Sequence, residues 1–288
     1  MRSLPRKVAI SWVRSQGCVL SAIGILCCWN ACAELKIVPL RSKMPLLFGG
    51  GTRSLEIAFE NTTAKPIETD VRTRLFQVAQ GTTIPLGDIR AWKKLQVGGR
   101  QTVIEPTPVE LPDVRSESRF LLQWIDAEAK VLGSIQMFAY PTNVLRELGT
   151  FCEKKPLGVL DPADDLKPVL KALRIEFEDL EARGLAYYDG PLAILGPFRE
   201  RTQMPETLPK TIQDKVEKGT TIVWIQPQTV RGLEPTTRFI NRGAAVVAIT
   251  DAPHASGFAQ SAEAQLNLLQ LVRLAMKPEL LTSIDPHK

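Results

Sequence analysis

The stretch RSLEIAFENTTAKPI, residues 53–67, sets the architecture of the first half of the chain. Its apolar side chains Leu55, Ile57 and Phe59 stand at every second position, the period that is typical of a strand with one buried face. The segment ENTTAKP that follows has the composition of a turn, and the NTT sequon at Asn61 predicts that this turn is exposed. The stretch therefore predicts a β-strand that ends in a turn toward a neighbouring strand.

Further runs of the same kind follow along the chain as far as residue 141. They lie at residues 73–81, 101–111, 118–133 and 134–141. Several short strands at this spacing, without a helical stretch between them, predict an antiparallel β-sandwich over residues 34–143. With Trp124 on a late strand, the pattern resembles the immunoglobulin-like β-sandwiches of exported bacterial proteins.

The pattern changes after Asn143, where short apolar runs begin to alternate with helical segments. Strands are predicted at residues 155–161, 174–182, 190–198, 220–227 and 243–253, and helices at residues 162–173, 206–219 and 261–276. Gly219 stands where the left-handed end of a helix is expected. The alternation predicts parallel strands with crossover helices, a three-layer α/β domain over residues 156–276. The chain is thus predicted to have two domains, with a linker at residues 144–155 and a tail at residues 277–288.

The order of elements in this second domain resembles a flavodoxin-like sheet and, more narrowly, the class I glutamine amidotransferase-like domains. The segment YYDGPLAILGPF, residues 187–198, looks like the third strand of that family. The family carries a cysteine nucleophile after a strand and a His-x-Glu pair further on. Here the strand TIVWIQPQ ends in Gln226 and Pro227, and no His-x-Glu occurs. The resemblance therefore implies the fold of the family without its catalytic Cys, His and Glu.

The N-terminal segment reads as a secretory signal peptide over residues 1–33. Four basic residues precede an apolar run of residues 17–29, which is followed by the small residues Ala31 and Ala33. The run is shorter than the roughly 20 residues of a spanning helix, so no transmembrane span is expected in the mature form. The chain is predicted to be exported, periplasmic or extracellular. A retained N-terminal membrane anchor and a lipoprotein modified at Cys32 are the alternatives.

Removal of this segment changes the cysteine content and the charge together. It holds four of the five cysteines, Cys18, Cys27, Cys28 and Cys32, of which two are adjacent, unlike the spaced ligands of zinc sites. Its four basic residues account for most of the net charge of +5. Without this segment the chain has 32 Lys and Arg and 31 Asp and Glu, which gives a net charge of +1. The basic residues that remain are scattered among acids, so no nucleic-acid partner is predicted. Cys152 remains as the one thiol, and no cofactor or metal site is predicted.

In an open α/β sheet, ligands bind outside the carboxyl ends of the strands. By this rule the candidate ligand rim consists of Asp161, Gly196, Gln226 and His254. The loop TDAPHASG also places Asp251 and Ser256 close to His254 in sequence, so that these three are the candidate catalytic residues. The competing interpretation is that Asp251 and Ser256 make local turn hydrogen bonds and that His254 is exposed.

Two groups of acidic residues favour structural interpretations. Asp164 and Asp165 follow Asp161 at the start of a predicted helix, where the helix dipole favours negative charge. A second group lies on the predicted strand 174–182 and is interpreted as a solvated strand edge. Its members are Glu176, Glu178, Asp179 and Glu181.

Two functional hypotheses follow from these observations. The first is an exported, non-catalytic binding or assembly protein of the cell envelope, whose partner is an envelope protein or a glycan. The alternative is a hydrolase that acts on carbohydrate or peptide material through Asp251 and His254, with water or Ser256 as nucleophile. Whether the chain is an enzyme is left open by its sequence, with a non-catalytic role favoured.

Overall fold

The structure is a computed structural model that describes most of the chain after the predicted signal peptide. The described residues are 35–40, 43–152, 154–198, 200–226, 237–241, 245–250, 257–277 and 279. The predicted signal peptide and the candidate residues Asp251, His254 and Ser256 lie outside them. Within these described ranges, no helix is both long and apolar enough to cross a membrane.

The first part of the described chain consists of two packed, almost entirely antiparallel sheets. Its strands are β1 (Leu35–Val38), β2 (Leu46–Phe48), β3 (Gly51–Asn61), β4 (Ile67–Ala79), β5 (Thr82–Val97), β6 (Thr102–Leu111), β7 (Ser118–Ile125) and β8 (Val131–Tyr140). One sheet has the order β1-β3-β6, and the other has the order β2-β8-β7-β4-β5. Only β2 pairs with its neighbour β8 in parallel. The β-sandwich prediction is confirmed.

The core of the sandwich is built from the alternation that the sequence displays. Leu55, Ile57 and Phe59 are all buried, as predicted, and they belong to one cluster with residues of the facing sheet. The ring of Trp124 meets that of Phe59 edge to face, with 6.4 Å between centroids. The indole N–H of Trp124 donates a hydrogen bond to the hydroxyl of Thr107, so the buried donor is satisfied.

The turn that contains the NTT sequon is largely exposed, as predicted, but its first residue, Asn61, is buried. Asn61 is only 1% exposed, and its side-chain oxygen accepts hydrogen bonds from the backbone N–H and the hydroxyl of Thr63. Its amide group donates to the carbonyls of Lys65, Val97 and Gly98. Asn61 is buried because its side chain satisfies the backbone groups of two adjacent turns.

The second part is an α/β sheet with helices on both faces. Its strands are β9 (Leu157–Leu160), β10 (Phe177–Asp179), β11 (Leu192–Leu195), β12 (Thr221–Ile225), β13 (Thr237–Asn241) and β14 (Val246–Thr250). Its helices are α1 (Leu148–Phe151), α2 (Lys167–Ala172), α3 (Leu180–Arg183), α4 (Leu208–Glu217) and α5 (Ala262–Met276). The sheet order is β10-β9-β11-β12-β14-β13.

The five parallel strands of this sheet have the order 2-1-3-4-5 when they are numbered along the chain, which is the flavodoxin-like order. The sixth strand, β13, pairs antiparallel with β14 at the edge and was not predicted. Val159 and Val223 face a layer that includes Val272 of α5, whereas Ala193 on the other face packs toward Val216 of α4. The three-layer α/β prediction is confirmed.

The segment predicted as a linker, residues 144–155, is packed against the α/β domain. A short 3-10 helix, Val144–Glu147, leads into α1, and Leu145, Leu148 and Cys152 are buried in the same cluster as the apolar side of α5. The guanidinium of Arg273 on α5 donates to both carboxylate oxygens of Glu147. The bidentate pair fixes this segment to the last helix.

Candidate functional site

Four parallel strands end side by side at the carboxyl edge of the α/β sheet. The backbone N–H of Gly196 donates to the carbonyl of Leu160 at 2.7 Å, and that of Gln226 donates to Thr250 at 2.7 Å. These contacts bring Asp161, Gly196 and Gln226 to one edge of the sheet, as their positions after successive strands predicted. The loop of the candidate catalytic residues begins directly after Thr250 and lies outside the described residues.

Asp161 lies at this edge, but its carboxylate is used by the backbone that follows it. The side chain is 1% exposed, and Oδ2 accepts from the backbone N–H groups of Leu166 at 2.7 Å and Lys167 at 2.9 Å. Oδ1 accepts from Asp165 at 3.3 Å. The first N–H groups of a helix have no partner within the helix, so this carboxylate completes the start of α2. Asp161 therefore holds the loop in place and leaves no free carboxylate oxygen at the rim.

Gly196 contributes close backbone contact and no chemistry of its own. Its φ is +98°, and a Cβ at this position would lie 2.4 Å from the carbonyl oxygen of Ile225. Real Cβ atoms do not approach backbone oxygens so closely, and the positive φ is disfavoured for residues other than glycine. The glycine allows the chain to leave β11 tightly against the end of β12.

A buried lysine beside Asp161 is the feature of this edge that sequence reasoning missed. The side chain of Lys167 is 9% exposed, and its Nζ lies 3.0 Å from Oδ2 of Asp179 and 2.6 Å from Oε1 of Glu181. Oε1 of Glu181 also accepts the backbone N–H of Asp161 at 3.2 Å. The sequence did contain an indication of this contact. Lys167 stands among apolar residues, in LKPVL, within the predicted helix 162–173, and the acidic strand 174–182 follows that helix directly.

The charges of this cluster are mutually stabilised. Burial acts most strongly on the pKa of Lys167 and lowers it, but the hydrogen bonds with Glu181 and Asp179 together outweigh burial, so the pKa is raised. Burial likewise acts most strongly on Asp179, yet the bonds from Lys167 and the backbone hold the pKa of Asp179 below its usual value. Lys167 therefore stays protonated at neutral pH, which makes it unsuited to act as a nucleophile or a general base.

The acidic group around β10 differs in part from the predicted solvated edge. β10 is indeed an edge strand, and Glu176 is exposed. Glu178, however, pairs with Arg183 at 3.1 Å, and Asp179 accepts the backbone N–H of Glu181 at the start of α3. The side chains of Asp179 and Glu181 keep exposures of 43% and 42%, in line with a solvated edge, but both carboxylates also turn toward the buried ammonium of Lys167.

The one thiol after residue 33 is buried and unreactive. Burial raises the pKa of the Cys152 thiol to about 11, so the thiolate is scarce at neutral pH. Within the described residues, no group of three or more His, Cys, Asp or Glu side chains is placed to hold a metal ion. The polar contacts that we find at the described part of this rim therefore stabilise the fold of the α/β domain.

A different surface of the molecule has the composition of a binding site. We call it the arginine–phenylalanine face and define it by Arg74 and Phe76 on β4, Arg119 and Leu121 on β7, and Phe138 on β8. Phe76 pairs with Leu121, and Arg119 pairs with Phe138 across adjacent strands. Because side chains alternate along a strand and the residues between these belong to the sandwich core, the five residues share the outer side of the five-stranded sheet.

The two arginines of this face are held over its phenylalanines. The guanidinium carbon of Arg74 is 5.1 Å from the ring centroid of Phe76, and that of Arg119 is 5.2 Å from Phe138. The contributing segments 74–78, 119–123 and 134–138 contain no aspartate, glutamate or lysine. The face is therefore positive and partly aromatic, with Arg119 exposed and the other four residues half-buried.

No family model matches the chain. No curated protein matches it either. Among solved structures it is similar to alkylpurine DNA glycosylase AlkC from Pseudomonas fluorescens (18% identity, TM-score 0.30, 38% of this chain and 31% of that chain). It is also similar to a Niemann-Pick type C2 protein from Japanese carpenter ant (7% identity, TM-score 0.28, 38% of this chain and 89% of that chain). A β-glucosidase from Listeria innocua is a further similar structure (13% identity, TM-score 0.28, 38% of this chain and 16% of that chain). The chain thus spans under a third of the AlkC chain, and these partial likenesses carry no functional argument.

Proposed function

We propose that the chain is an exported, non-catalytic binding or assembly protein of the cell envelope, which binds an acidic protein partner through the arginine–phenylalanine face. The signal-peptide pattern of residues 1–33 supports export to the periplasm or the exterior. The observation that carries the proposal is the stacking of Arg74 and Arg119 on phenylalanines, in strand segments that contain no acidic residue. The C-terminal domain is proposed to be amidotransferase-like without the catalytic Cys, His and Glu of that family.

The chemistry of the face favours a protein partner. Arginine and aromatic side chains are enriched at the energetic centres of protein interfaces, whereas lysine and acids are depleted there. The stacking also orders each guanidinium before binding, which reduces the entropy that association must overcome. Small ligands and sugars bind mostly in concave sites, while an open sheet face such as this one fits a second protein surface. The positive charge selects a partner with exposed carboxylates.

The engaged polar groups of the α/β rim agree with a non-catalytic role. Asp161 accepts three backbone N–H groups, and Lys167 is paired with Asp179 and Glu181. Polar groups that are paired within the protein in this way stabilise the loops that they join. The proposed role of the α/β domain is to support the sandwich and its partner.

The test is capture of the partner from the envelope fraction by the full chain and two double variants. The variant with Arg74→Glu and Arg119→Glu is expected to bind the captured protein at least about tenfold more weakly, because like charges then meet at the interface. The control variant with Lys65→Glu and Lys130→Glu changes the net charge equally at exposed turns of the same sandwich. It should bind as the wild type does. Equal loss in both variants, or in neither, contradicts the proposed face.

One observation supports the hydrolase alternative, namely the position in the chain of the loop that contains the candidate catalytic residues. The loop of Asp251, His254 and Ser256 follows β14 at the carboxyl edge, where doubly wound sheets bind ligands. Under the proposed function, the wild type and His254→Ala are expected to be equally inactive in a screen of glycoside and peptide substrates. Turnover by the wild type that falls at least about a hundredfold in His254→Ala, the usual scale for a general base, would instead establish the alternative.

A further inference from the structure

A cleft opens between the two sheets of the sandwich, on the side where β5 and β6 are the edge strands. Its volume is about 290 Å³. The floor is apolar and is formed by Leu75, Leu86, Val109, Leu111 and Leu122. Three of these residues are buried and two are half-buried, so the cleft reaches from the surface to the core.

The cleft lies where the pairing of β4 with β5 is interrupted. The register passes from Thr73 opposite Arg90 to Leu75 opposite Leu86, so Gly87, Asp88 and Ile89 face the single residue Arg74. Gly87 has a φ of +72°, which glycine adopts without strain. A bulge of this kind bends its strand, and here it changes the course of the edge strand beside the gap between the sheets.

The mouth of the cleft carries charges of both signs beside an exposed apolar side chain. Arg90 of one sheet donates to the carboxylate of Glu110 on the other, and Asp88 lies next to them. Ile89 in the bulge is 41% exposed. A large apolar side chain that remains in water beside an apolar cleft is a common mark of a binding site.

Two observations restrict the occupant. Pro106 and Pro108 on β6 and Pro85 on β5 lack the N–H groups that an added peptide strand would need, so pairing with a partner's strand is disfavoured at both edges. Two carboxylates face one guanidinium at the mouth, so an anionic head group would meet net repulsion. Arg90 can donate hydrogen bonds and Glu110 can accept them, which suits a neutral hydroxylated group.

We propose that this cleft binds a neutral amphiphile, with its apolar chain on the leucine and valine floor and its hydroxylated head against the Arg90–Glu110 pair. The volume is about twice the roughly 150 Å³ of an apolar cavity that accommodates benzene, which corresponds to a chain of about ten carbons. The site is distinct from the arginine–phenylalanine face, because its lining residues point between the sheets.

The test measures displacement of the neutral fluorophore N-phenyl-1-naphthylamine from the full chain by the monoglyceride of decanoic acid, below its micellar concentration. Saturable displacement with one site per chain is expected, with decanoate at least about tenfold weaker because of its charge. Leu86→Glu, which places a carboxylate on the floor, and Leu86→Trp, which fills the cleft, are each expected to weaken the monoglyceride at least about tenfold. Ile84→Glu is the matched control two residues away on the same strand, and it should bind as the wild type does.

The proposal would be overturned by the absence of saturable displacement, by decanoate binding as tightly as the monoglyceride, or by equal losses for Leu86→Glu and Ile84→Glu. A loss in Leu86→Glu that Leu86→Trp does not share would also contradict it, since the tryptophan keeps the strand apolar and only removes space. Arg119→Glu should leave the displacement unchanged, so failure of this site and failure of the proposed partner face are separate outcomes.

Discussion

Replacing Gly196 by alanine is expected to lower the free energy of unfolding by about 3 kcal/mol or more, the scale of a strained backbone combined with a clash. The added Cβ would lie 2.4 Å from the carbonyl oxygen of Ile225 and 3.0 Å from the backbone nitrogen of Phe198. Both neighbours are backbone atoms of the closely packed carboxyl edge, so neither can rotate away. Urea unfolding followed by circular dichroism at the helix band measures the loss.

Gly219→Ala is the matched control for this prediction. Gly219 follows α4 with a φ of +95°, close to the +98° of Gly196, but within the described residues a Cβ there would meet no heavy atom within 4 Å apart from its chain neighbours. Only the conformational cost remains, about 1 to 2 kcal/mol for a left-handed alanine. If the two variants lose equal stability, contact with Ile225 contributes nothing and the close packing of this edge is not what requires a glycine.

The predictable part of the fold is the part that local periodicity determines. Leu55, Ile57 and Phe59 identify the buried side of β3 because every second side chain of a strand faces the same way. The alternation of strands and helices likewise leads to the flavodoxin-like order, since right-handed crossovers leave few arrangements of parallel strands. β13 escaped prediction because its sequence, TRFIN, is short, mostly exposed and paired only at the sheet edge.

The candidate site was less predictable, because its contacts join distant residues. Sequence reasoning placed Asp161 at the correct edge, but the direction of a carboxylate depends on the path of the loop after it. Lys167 meets Asp179 and Glu181 only because the start of α2 lies near the end of β10 and the start of α3. The arginine–phenylalanine face depends on the register of three strands, and the pairing of β4 with β5 is shifted by two irregularities that no period reveals.

Asp161→Ala is expected to lower the free energy of unfolding by about 3 kcal/mol, because buried backbone donors are left without partners. Its carboxylate accepts from Asp165, Leu166 and Lys167, so its removal takes the acceptor from three consecutive N–H groups. The same backbone contact positions Lys167, so the ammonium should also lose its fixed distance to Asp179 and Glu181. Urea unfolding measures the stability, and amide hydrogen exchange at Leu166 and Lys167 measures the local loss.

Two companion variants decide whether Asp161 serves the backbone or a ligand. Asp161→Asn keeps one oxygen acceptor for Leu166 and Lys167, so it should lose about half as much stability as the alanine variant. Glu176→Ala removes an exposed acid from the same region and should change the free energy of unfolding by less than about 0.5 kcal/mol. A carboxylate kept for a ligand would behave in the opposite way, with both Asp161 variants as stable as the wild type or more so, because removing an unpaired buried charge relieves the folded state. The three hydrogen bonds to consecutive N–H groups are the reason to expect the graded loss.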